Sequence, residues 1–79
     1  MLTAEQAIAA AETNAGPEAV VDQAWLGTSQ VVALFAAASG ADDFDGQGPT
    51  VVDLTTGQMT YPGSAVNPAS LLEGKIRIR

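Results

Sequence analysis

The sequence predicts an α+β domain, with an N-terminal helix packed on a small antiparallel sheet of four to five strands. Three observations carry this. An alanine-rich opening segment has helical spacing and signals at both ends. Three later stretches are rich in valine or threonine and are broken by Gly-, Ser- or Thr-containing turns. The large apolar residues are few, enough for one helix laid on one sheet. With 79 residues the chain is one domain, residues 1–79.

Residues 3–14 read as the helix. Thr3 and Gln6 have capping-box spacing, and Leu2 is placed to pack on Ala7. Glu5 lies in the first turn, where the helix dipole favours a negative charge. Ala4, Ala7, Ile8 and Ala11 form a narrow apolar stripe. Gly16 supplies a left-handed cap, and Pro17 blocks continuation. Residues 19–26 read as a strand on the strength of Val20, Val21 and Trp25, with a turn at Gly27, Thr28 and Ser29. Residues 30–38 are ambiguous: Gln30-Val31-Val32 suits a strand, but Ala33 to Ala38 is rich in helix formers. The strand reading is preferred because a short turn then makes a hairpin with residues 19–26 and brings Trp25 and Phe35 to the core.

Residues 40–48 read as a loop with three glycines and three aspartates. The next hairpin has Thr50, Val51 and Val52 in one arm and Gln58 to Tyr61 in the other. Gly57 takes the positive-φ position between them, and Pro62 stops the second arm. Asn67 and Pro68 open a short helix that Gly74 ends. Residues 75–79 alternate cations and isoleucines, as expected of a final strand with one face buried.

Charge is the most unusual feature. All nine carboxylates lie at or before Glu73, and all three cations, Lys75, Arg77 and Arg79, lie in the last five residues. Such a surface repels phosphate, so neither nucleic acid nor anionic membrane is expected as a partner. A protein partner with a basic surface fits better. There is no cysteine or histidine, which removes disulfides, thiolate metal sites and the commonest general base. No apolar run approaches the roughly 18 residues of a membrane span. No basic region precedes an apolar stretch at the start, so a secretory signal is not expected. The expected location is the cytoplasm, with a virus particle as the alternative.

Few residues offer chemistry. Asp42, Asp43 and Asp45 before Gly46 group like ligands for a hard cation, but the spacing departs from a calcium loop. A solvated acidic loop is the preferred reading, with neither metal nor cofactor expected. Glu12, Glu18 and Asp22 fall in or near different elements and read as surface charge rather than an acid–base pair. Ser and Thr side chains are plentiful but have no base to activate them, and Lys75 as the only lysine gives little support to a Ser–Lys pair. The chain is therefore read as non-catalytic. Asp42, Asp43, Phe44 and Asp45 form the candidate partner-binding loop, Phe44 being an aromatic anchor ringed by carboxylates. Lys75, Arg77 and Arg79 form a second candidate, for contacts with neighbouring subunits or a second copy.

Residues 46–59, GQGPTVVDLTTGQM, together with the N-terminal MLTAEQAIAAAE helix and a tryptophan-containing strand, resemble the Imm35 immunity-protein family (the YrhB-like proteins). The family's Gly-x-x-Pro and Val-Asp-x-x-Thr-Gly elements fall here on Gly46, Pro49, Val52, Asp53, Thr56 and Gly57, with Thr50 and Val51 between them. The resemblance covers most of the chain loosely and this hairpin closely. The middle region departs from it in being alanine-rich, and the cationic end departs too. It implies a helix against an antiparallel sheet and neutralisation of a bacterial toxin by direct binding, with no catalytic residues. The alternative expectation is a structural or accessory protein of a bacteriophage, acting through subunit contacts.

Overall fold

The first helix, α1 (Ala4–Ala15), begins where the sequence signals it. Thr3 is extended at φ −79°, ψ 164°, which leaves its hydroxyl free to accept from Gln6 N at 3.1 Å. Gln6 Oε1 accepts in return from Thr3 N at 2.9 Å. Two amide donors that the helix leaves over are thereby satisfied. Thr3→Ala is expected to cost about 1 kcal/mol, lowering the thermal midpoint by about 4–8 °C for a domain of this size. A calorimetric scan with an unchanged midpoint would show that the box does not hold the helix. At the other end Gly16 has φ 94° and ψ −179° and donates to Glu12 O at 3.2 Å. The positive φ agrees with the expected cap, but ψ is extended rather than left-handed helical, and the chain leaves directly toward the sheet.

The computed structural model describes residues 1–40, 49–62 and 68–79. Besides α1 these form β1 (Ala19–Leu26), β2 (Gln30–Ala37), β3 (Thr50–Asp53), β4 (Met59–Thr60), α2 (Pro68–Leu72) and β5 (Ile76–Arg77). The strands make one five-stranded sheet in the order β4-β3-β2-β1-β5, and every pairing is antiparallel. The fold is therefore α+β, a helix against an antiparallel sheet. Residues 30–37 are strand, which resolves the ambiguity in favour of the hairpin. The proposed cap Asn67 lies outside the described residues.

A register shift between Val21 and Gln23 explains the polar interruption in β1. Asp22 is the extra residue of a β-bulge, so Val21 and Ala24, three apart, both face α1. Their cross-strand partners are Phe35 and Ala33, and Leu26 pairs Val31, which in turn pairs Val52. Against this face α1 buries Ala7, Ile8 and Ala11. Alanine on both layers lets the helix approach closely, so the thin core is packed although little area is buried per residue. Leu2 closes one end, its N–H donating to Leu54 O at 2.7 Å.

The second face of the sheet carries Trp25, Val32 and Val51, which pair across three strands. Val32 is only 1% exposed. Trp25 is half-buried on this face rather than in the core beneath α1, and its indole N–H is buried without a hydrogen-bond partner among the described residues.

The turn between β3 and β4 is built by the motif that stands out in the sequence. Asp53 Oδ1 accepts from Thr55 N at 2.7 Å and Thr56 N at 3.2 Å, and Thr56 Oγ1 accepts from Gln58 N at 3.2 Å. Gly57 takes φ 77° and donates to Asp53 O at 2.7 Å. Asp53, Thr56 and Gly57 are thus each used in forming the turn itself.

β5 corrects one expectation. Its isoleucines do not form a buried face: Ile76 is 70% exposed and Ile78 40% exposed. The strand lies at the edge of the sheet, which leaves both isoleucines exposed.

Candidate protein-binding surface

Glu18 and Asp22 are placed by the hairpin of β1 and β2. Ala38 N donates to Glu18 O at 2.9 Å, so the start of β1 is tied to the end of β2. Glu18 stands at this end of the sheet, and Asp22 sits on the nearby bulge. Both are exposed, with no ion-pair partner among the described residues. Gly40, the last described residue before the aspartate-rich stretch, follows directly from the same strand end. Asp42, Asp43, Phe44 and Asp45 themselves lie outside the described residues. Glu5 and Glu73 are also exposed, with no ion pair among the described residues.

Glu12 differs. It faces Arg79, with Oε1 3.4 Å from Arg79 Nη1, in a half-exposed pair that solvent screens. Its other oxygen accepts from Val21 N at 3.4 Å. The carboxylates at 12, 18 and 22 therefore do not converge: one pairs with a cation and two face solvent. Nothing in the sequence signals the pairing of Glu12 with a residue 67 positions away. It depends on a bulge in the chain after β5, described below.

The three cations gather along one edge. Lys75 lays its stem against Gly27, where an added Cβ would stand 3.2 Å from Lys75 Cε. Arg77 pairs across from Trp25, and its Nε donates to Arg79 O at 2.9 Å. The fold thus keeps Lys75, Arg77 and Arg79 together but apart from the Glu18 end of the sheet. An open polar cleft of about 350 Å³ lies between the β1–β2 turn and the α2–β5 turn, where Glu73 and Lys75 meet Thr28 and Ser29.

Among the described residues no three Asp or Glu side chains come together as metal ligands would. No described helix is long and apolar enough to cross a membrane. Elsewhere on the surface, Asn14 Nδ2 donates to the Tyr61 hydroxyl, tying the end of α1 to the chain after β4. Tyr61 is otherwise exposed. Comparison with family models, curated proteins and solved structures finds no match to this chain.

Proposed function

We propose that this domain is a non-catalytic protein-binding module, an immunity protein that neutralises a bacterial toxin by covering a basic surface on it. The observation that carries this reading is the separation of charge. Exposed carboxylates, Glu18 and Asp22, with no ion pair among the described residues, stand toward the end of the sheet from which the chain enters its three-aspartate stretch. The cations are held along a different edge. Carboxylates such as Glu18 and Asp22, which have no ion pair among the described residues, keep their field for a partner, raising the encounter rate and selecting against acidic surfaces. The hairpin resemblance to the Imm35 family supports the same reading. Its Asp-x-x-Thr-Gly residues form the turn, so the recognition surface is sought elsewhere, at the acidic end.

Co-expression with each toxin encoded in the source genome tests the proposal, and one of them should lose its toxicity. Its affinity for the purified domain should fall as salt rises. Substituting Asp42, Asp43 and Asp45 with Asn, together with Glu18→Gln, should weaken binding about tenfold at low salt and flatten the salt dependence. Failure to neutralise any of the toxins, or unchanged affinity of the substituted domain at low salt, would overturn the reading.

A further inference from the structure

We infer that the edge of β5, which no described strand pairs, is a docking site for an extended, acidic strand of a partner protein, whose residues alternate between carboxylate and aliphatic side chains. β5 pairs with the Trp25–Leu26 end of β1 and Glu18 lies at the other end, so neither proposal depends on the other.

The backbone supplies the first part of the argument. Leu26 pairs with Ile76 and Trp25 with Arg77. Beyond them the ladder bulges: Ile78 N and Arg79 N both donate to Ala24 O, at 2.8 and 3.3 Å, and Ala24 N donates back to Arg79 O at 3.3 Å. With Ile78 bonded inward, strand alternation turns the N–H and C=O of Arg77 away from β1, toward the open side of the sheet. The same bulge turns Arg79 onto the α1 side, where it reaches Glu12. The outward donor and acceptor of Arg77 are the pair that an added strand would meet.

Side chains set the chemistry of that strand. Ile76 is opposite Leu26 on the α1 side and is 70% exposed. Ile78 is also exposed. On the opposite side stands Arg77, which among the described residues has no acidic partner. A strand laid along β5 therefore meets aliphatic surface on one side and positive charge on the other. Alternating aliphatic and acidic residues satisfy both.

Charge also decides against the nearest competitor, a second copy of this chain. Short edge strands bearing cations resist unwanted pairing. Two β5 edges brought together would set Arg77 and Lys75 against the same cations, and like charges directly opposite destabilise a strand pair. The repulsion that blocks self-pairing becomes attraction when the incoming strand is acidic. β4, the opposite edge, has neither feature: Met59 and Thr60 carry no charge, and Pro62 follows closely.

The test uses the intact domain and capped seven-residue peptides. An alternating Glu–Val peptide should bind with amide shift changes centred on Arg77. A Lys–Val peptide should not bind. N-methylation of alternate amides in the Glu–Val peptide should abolish binding to the unmodified domain, a result that needs no protein variant. Arg77→Glu should weaken the Glu–Val peptide at least about tenfold and create binding of the Lys–Val peptide. Equal binding of a Glu–Gln peptide, shift changes away from β5, or binding that survives N-methylation would overturn the inference. Sedimentation should show a monomer. A dimer that involves the β5 amides would assign the edge to a second copy and overturn the acidic strand.

Discussion

Ile8→Ala is expected to remove about 2–5 kcal/mol of unfolding free energy. Ile8 is 2% exposed and heads the fully buried side chains by volume. It is the one large residue that α1 buries, its other buried positions being Ala7 and Ala11. Truncation loses the transfer free energy of three carbons and leaves a cavity. Alanines on both layers already hold helix and sheet close, so the surroundings have little room to collapse into the gap. A domain of this length has roughly 4–12 kcal/mol in all, at about 0.05–0.15 kcal/mol per residue. The substitution therefore removes a large part of the total. Urea titration should show a lower midpoint with an unchanged slope, since the surface exposed on unfolding barely changes. Ile8→Val, which removes a single methyl, should cost only about 0.5–1.5 kcal/mol. A loss below that range for alanine would mean that α1 is not held through this side chain.

The same thin core explains which parts of the fold are legible in the sequence. α1 is legible because its signals are local: Thr3 and Gln6 are three residues apart, and Gly16 and Pro17 follow directly. The β3–β4 turn is legible for the same reason, since Asp53, Thr56 and Gly57 bond only to their near neighbours. Residues 33–37 are not legible from propensity. Alanine prefers helix, and pairing with β1 and β3 overrides that preference. The bulge at Asp22 also escapes a reading based on alternation, because it shifts the apolar period by one residue in mid-strand. Residues 75–79 mislead most. Their alternation is that of a half-buried strand, yet it arises at a sheet edge where both isoleucines stay exposed, and there it separates aliphatic from cationic side chains. Of the candidate site residues, composition identifies the cations as a group. Only the fold shows that Arg79 turns back to Glu12 while Arg77 faces outward.

Thr50→Val is expected to stabilise the domain by about 1–2 kcal/mol. Thr50 is 1% exposed, sits opposite Ala33 on the side of the sheet that α1 covers, and its hydroxyl has no hydrogen-bond partner among the described residues. A hydroxyl taken out of water without compensation carries its full desolvation cost. Valine keeps the branched shape and the preference for strand while removing the polar atom, so the cost is relieved without a cavity. Thr50→Ser is the control: it keeps the hydroxyl and loses the methyl, and should destabilise by about 1 kcal/mol. Trp25, whose indole N–H is also buried without a partner among the described residues, gives no such clean comparison, because replacing indole with a smaller ring also removes volume. Urea midpoints in the order Val above Thr above Ser would show that the Thr50 hydroxyl is a burden to the fold. A valine variant less stable than the parent would mean that this hydroxyl is bonded in solution and helps to hold β3 in place.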